Sequence, residues 1–138
     1  MKVLFDNCTQ PASASTLDGF ISHYGHRAFH IKDVKELPRG RSSSDLEWIE
    51  FLRSSSDVWI FISGDGRILR NKPERTALRA AKLSGFVMAP AYQKTPDHQV
   101  AAMLVWRWPD ILRITELVSP SIHEIPFGKA TKLRQLPL

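Results

Sequence analysis

The sequence predicts an α/β domain with a mainly parallel sheet of four or five strands and helices on both faces. Three observations carry this. Short apolar runs alternate with helical patterns along the whole chain, an order that favours parallel strands joined by crossover helices. The run Asp57-Val-Trp-Ile-Phe-Ile-Ser63 is continuously rather than alternately apolar, as in a strand buried on both faces. Glycine, proline and serine fall between these segments as turn signals.

The elements follow in order. Lys2–Phe5 reads as a strand ending at Asp6, followed by a polar loop with Pro11. A helix is expected over about 12–24, closed near Gly25. Residues 27–31 suit a second short strand, and residues 38–44, Pro-Arg-Gly-Arg-Ser-Ser-Ser, have loop composition. Ser44 followed three residues later by Glu47 is a capping-box pattern, which predicts a helix over 44–53. The strand at 57–63 stops at Gly64-Asp65-Gly66. Pro73 opens a helix over 73–83, with Gly85 expected to end it before a strand at 86–89. Thr95-Pro96 starts a longer helical stretch that Pro109 is expected to kink or split. Residues 122–126 suit a last strand, and 128–138 read as a basic tail. No repeat or linker divides the 138 residues, so one domain is expected.

Composition narrows the function classes. Hydrophobic residues make up 43% and charged residues 24%, which excludes a disordered or low-complexity chain. No apolar run approaches a membrane span. Met1-Lys-Val-Leu-Phe-Asp reaches an acid at residue 6, unlike a secretory signal. The single cysteine, Cys8, excludes an internal disulfide and a cysteine-rich zinc site. A cytoplasmic location and no membrane partner are therefore expected. The formal net charge is +5, and residues 67–82 alone carry six basic groups against one acid. Such a stretch suits an anionic partner, although a basic helix face is also ordinary solvated surface.

Open parallel sheets place ligands at the carboxyl ends of their strands. Asp6 follows the first strand and Asp65 the longest one. Asp45 shares a helix face with Ile49 and Leu52 at i, i+4 and i+7. Since Ile49 and Leu52 must face the sheet, Asp45 ranks above Glu47 as the inward acid. Three carboxylates at one sheet edge repel one another unless a cation neutralises them, and hard oxygen ligands select Mg²⁺ or Mn²⁺. Taken singly, Asp6, Asp45 and Asp65 also suit a strand-end cap, a helix charge and a turn residue. Asp33, after the second strand, is a weaker fourth candidate. Arg67 and Arg70 lie just beyond Asp65, and Arg75 and Arg79 continue a basic stripe that could hold phosphates. His23, His26 and His30 lack a ligand spacing.

The segment Leu4-Phe5-Asp6-Asn7 with Pro11 resembles the first motif of PIN-like domains. Ser44-Asp45-Leu46-Glu47-Trp48-Ile49 resembles the helix-borne second motif. Ile62-Ser63-Gly64-Asp65-Gly66-Arg67-Ile68-Leu69-Arg70-Asn71-Lys72-Pro73-Glu74-Arg75 resembles the third, in the form of a compact subgroup related to VapC toxins. The resemblance implies a Rossmann-like sheet and a Mg²⁺ or Mn²⁺ site built on Asp6, Asp45 and Asp65. It also implies ribonuclease activity, commonly as the toxin of a toxin–antitoxin pair. The expected partners are then RNA and an antitoxin protein, and a homodimer is compatible with them. Many PIN nucleases carry a further acid just after the third; here Gly66-Arg67 stands there, leaving Glu47 or Asp33 as substitutes. The alternative is a catalytically silent PIN-like module that binds RNA or protein.

Overall fold

A computed structural model describes residues 1–37 and 39–138, and of Arg41 the backbone alone. Pro38, within the expected loop, lies outside the described residues. Six strands form one sheet: β1 (Lys2–Phe5), β2 (Arg27–His30), β3 (Trp59–Ser63), β4 (Ser84–Met88), β5 (Ile122–Ile125) and β6 (Arg134–Leu136). Their order is β2-β1-β3-β4-β5-β6. The first five are parallel, and β6 pairs antiparallel with β5. The predicted α/β class holds, with one strand beyond the expected four or five. The residues expected to be a basic tail supply that strand. Its sequence, Arg-Gln-Leu, is too short to carry a periodic signal.

Among the described residues four helices of two turns or more connect the strands: α1 (Pro11–Ile21), α2 (Asp45–Ser54), α3 (Lys72–Ala81) and α4 (Asp97–Leu117). Because side chains alternate across a strand, each central strand serves two cores. Val3, Phe5, Ile60, Ile62, Phe86, Met88 and Ile125 pack with α1 and α4. Leu4, Trp59, Phe61, Val87 and Ile122 pack with α2 and α3. All five residues of β3 are buried, as its unbroken apolar run requires. None of the described helices is long and apolar enough to cross a membrane.

Several local expectations hold. Ser44 and Glu47 form the reciprocal capping box of α2. The helix expected over 12–24 forms and closes at Gly25, left-handed at φ 84°, its last turn tightened into a 3₁₀ segment at Ser22–Tyr24; it starts at Pro11, one residue earlier than the expected loop allowed.

Two expectations fail. Pro109 does not split α4, which runs unbroken over 21 residues. Buried side chains on both sides of it, Val100, Ala101 and Leu104 before and Ile111 after, fix both halves against the same core. Gly85 does not end α3. That helix stops at Ala81 with Lys82 left-handed at φ 54°, and Gly85 sits inside β4. The reason is tertiary: a Cβ at Gly85 would stand 2.2 Å from the Phe61 ring of the neighbouring strand.

A Gly85→Ala substitution must therefore push Phe61 out of a packed layer. It should cost about 1–3 kcal/mol, measured by urea unfolding. The accompanying Phe61→Leu change should recover part of that loss.

A candidate acidic site at the carboxyl edge of the sheet

The chain leaves β1 toward β2 on one side and later returns to β3 on the other. The sheet therefore has its topological switch point between β1 and β3, where parallel sheets open a crevice beyond the strand ends. Asp6 and Asp65 follow those two strands.

Asp6 is 3% exposed and bonds to both strands' loops. Its Oδ1 accepts from the backbone N–H of Cys8 at 3.1 Å and of Gly64 at 3.3 Å. Its Oδ2 accepts from the Ser63 hydroxyl at 2.5 Å. Burial nevertheless pushes its pKa from 3.8 up to about 6, against the lowering effect of these bonds, and the charge of Asp45 adds to the rise. The crossing of the two loops is close. A Cβ on Gly64 would lie 2.2 Å from the Cys8 carbonyl oxygen, so only glycine lets the β3 loop approach.

The loop after β1 is anchored from below. Thr9 donates its N–H and its hydroxyl to the Asp6 carbonyl. His30 Nδ1 accepts from the Lys32 N–H, so Nε2 carries the ring proton and donates to the Thr9 carbonyl at 3.0 Å. The three histidines thus have no shared site: His30 is buried scaffolding, and the His26 ring stacks edge-on against Trp108.

Asp45 stands in the first turn of α2, half-buried, and its Oδ1 accepts from Trp48 Nε1 at 2.9 Å. It is the helix acid whose charge reaches Asp6. Glu47 instead closes the capping box and meets Arg39 at 3.4 Å. Asp33 pairs with Lys32 on the surface.

Asp65 caps the short helical turn that follows it, Oδ1 accepting from the Arg67 N–H at 2.8 Å. Its side chain is 12% exposed and pairs with Arg67 Nε at 2.5 Å and, more loosely, with Arg70 at 3.9 Å. The Cys8 thiol, on an exposed residue but partly desolvated, lies in the fields of Asp6, Asp65, Arg67 and Asp45; this desolvation and the acids raise its pKa. The edge thus gathers the three predicted acids into one electrostatic neighbourhood. Among the described residues, however, no three His, Cys, Asp or Glu side chains form a ready cage for a metal ion.

A cleft of about 820 Å³ opens from Asp65, lined by Arg67, Arg70, Gln93, Glu124 and Arg134 among others. A second, of about 340 Å³, continues past Arg70 to Lys72, Arg75 and Arg79. The four arginines singled out in the sequence therefore line two adjoining clefts leading from Asp65. Arg134 was not anticipated; it arrives only because β6 returns along the sheet. Ser63 was missed too, since its role depends on the β1–β3 register, Phe5 opposite Ile62.

The sequence profile of a family described as a PIN like domain matches residues 1–90. That span runs from β1 through β4 and contains Asp6, Asp45 and Asp65. No curated protein and no solved structure matches the chain.

The raised pKa of Asp6 fixes a sign for stability. Between pH 4 and 6 the folded chain holds a proton there that the unfolded chain has lost, so this group makes stability fall as pH rises through that window and level off above it. Asp6→Asn keeps the shape: the amide oxygen accepts both backbone N–H groups, and the amide NH₂ donates to Ser63, whose hydroxyl also reaches the Asp65 carbonyl at 3.0 Å. The variant should gain up to about 3 kcal/mol over the parent at pH 7 and nothing at pH 4. Urea unfolding at both pH values checks this, and equal effects at the two would show that burial does not penalise the charge.

Proposed function

Since the chain belongs to the PIN-like domain family, a nuclease-type fold, we propose that it hydrolyses RNA phosphodiester bonds at this acidic edge with Mg²⁺ or Mn²⁺. The observation that carries the proposal is the continuity of the edge: Asp65, in the same electrostatic neighbourhood as Asp6 and Asp45, opens directly into a cleft lined by Arg67, Arg70 and Arg134. Acids that can hold a cation adjoin cations that can hold phosphates.

The donor set suits a hard cation. Mg²⁺ commonly takes only one or two protein carboxylates, and the phosphate it acts on completes its shell together with water. Asp6 and Asp45 would fill that role, since their mutual repulsion and the raised pKa of Asp6 are relieved by a positive charge. Bound there, the ion would supply an acidified water and stabilise negative charge on the phosphodiester. Arg67 and Arg70, 70% and 75% exposed along their side chains, would exchange Asp65 for the RNA backbone. Arg75 and Arg79 extend the phosphate track. We extend the proposal to the toxin of a toxin–antitoxin pair, with an antitoxin protein as the restraining partner; the motif resemblance is its support.

One observation favours the silent RNA-binding module instead: Asp65 is already neutralised by Arg67. Metal titration separates the two readings.

Millimolar Mn²⁺ should raise the melting temperature and support cleavage of mixed RNA, because a ligand of the folded state stabilises it. Asp45→Asn should abolish both effects. Glu47→Gln, which keeps the capping box, should change neither. RNA bound without cleavage and no thermal shift would leave the silent module.

Replacing Arg67 and Arg70 together by alanine should weaken RNA binding. It should also flatten the log–log salt dependence by about 1.4, two phosphate contacts at about 0.7 each. A filter-binding salt series reads this out.

A further inference from the structure

Beside the acids lies a smaller cavity that the basic clefts do not explain. It holds about 200 Å³ and is lined by Cys8, Gln10, Ser13, Gly64, Gln93 and Asp97, among others. On the order of seven waters of liquid volume would fill it, enough for a flat ring but not for a length of polymer.

Its position ties it to the chemistry. Cys8 and Gly64, which form part of its wall, are the two residues whose N–H groups hold Asp6 Oδ1. Met88 and Gln93 line both this cavity and the arginine cleft. An occupant would therefore lie next to Asp6 and open toward Arg67.

Its chemistry differs from that of the cleft. Among the described residues no lysine or arginine lines it, and Asp97 is its one carboxylate. A phosphate would find no cationic side chain there. Two carboxamides, Gln10 and Gln93, offer donor and acceptor side by side, the geometry that reads base edges. Met88, Tyr92 and Val100 supply apolar surface.

One polar atom is also left over. Ser13, 1% exposed, has a buried hydroxyl with no hydrogen-bond partner. Buried polar groups are nearly always paired; this one lies in the wall of the cavity, closed off from its space, and an occupant reaches it only if the wall gives.

We infer that this cavity is a nucleobase pocket that seats one unstacked base of a single-stranded RNA, next to the phosphate placed by Arg67 and Arg70. The inference deepens the ribonuclease reading and rests on it for the choice of RNA. Proteins that read RNA sequence commonly take splayed bases this way, by their edges and faces. Asp97 carries only acceptors. It favours a base with an exocyclic amine, adenine, cytosine or guanine, over uracil, whose edge sets a single ring N–H between two carbonyls.

The test titrates adenosine, cytidine, uridine and inorganic phosphate separately into ¹⁵N-labelled protein, and maps cleavage products of mixed RNA in parallel. Adenosine and cytidine should shift the Ser13 and Gln93 resonances, with uridine weaker. Phosphate should shift Arg67 and Arg70 instead. Gln93→Ala should weaken adenosine binding about 10-fold, the loss of one good base contact. Asp97→Asn should bring uridine level with adenosine. Gln93 and Asp97 are both exposed, so the fold is not at stake. Nucleosides that leave Ser13 and Gln93 unmoved, phosphate that moves Ser13, or uridine binding as well as adenosine would each overturn the pocket. RNA cleavage alongside unmoved resonances would sink the pocket and leave the nuclease standing. Nucleoside binding without metal-dependent cleavage would do the reverse.

Discussion

A buried carboxylate at the switch point of a parallel sheet is an expensive group to keep, and the surrounding structure is arranged around Asp6. Its two oxygens accept from Cys8, Gly64 and Ser63, which binds the loop after β1 to the loop after β3. The same crossing forbids a side chain at Gly64, and it presents Asp65 to the cleft. His30 props the first loop through Thr9. These bonds lower the cost of the charge without cancelling it, since burial still holds the pKa near 6. Such residual cost is common at functional sites, where geometry serves chemistry rather than stability.

The neighbouring acids are settled differently. Asp45 faces the site from a helix N-terminus, where the helix dipole favours negative charge, and Trp48 fixes its orientation. Asp65 is compensated by arginines from its own turn. Gly66-Arg67 stands where the motif resemblance leads one to expect a further acid. An internal cation thus balances part of the charge at this edge.

The carboxyl-terminal region completes the cleft from a distance. Arg107, 3% exposed within α4, donates to the carbonyls of Gly128 and Thr131 and to Asp110. It pins the turn after β5, and β6 runs back antiparallel and brings Arg134 to the cleft that Arg67 also lines. A guanidinium suits this task because its planar fork can serve several acceptors at once.

Much of this was legible in the sequence. The unbroken apolar run of β3 required a strand covered on both faces. Ser44 and Glu47 specified the start of α2, and acids placed just after strands marked the edge where a site belongs. These features are local: they depend on periodicity, capping and the turn chemistry of a few residues. What lay beyond the sequence depends on contacts between distant segments. Gly85 looks like a helix stop until Phe61 is placed against it, and Pro109 looks like a break until one core holds both halves of α4. The third strand-edge residue, Ser63, and the rim arginine, Arg134, gain their roles from register and from the return of β6. The sequence by itself determined the α/β class and the three acids, because short-range chemistry encodes them. The tertiary structure alone decided that Asp6 is buried and nearly neutral at mild acidity and that Asp65 is already paired, because desolvation and ion pairing depend on what packs around a carboxylate.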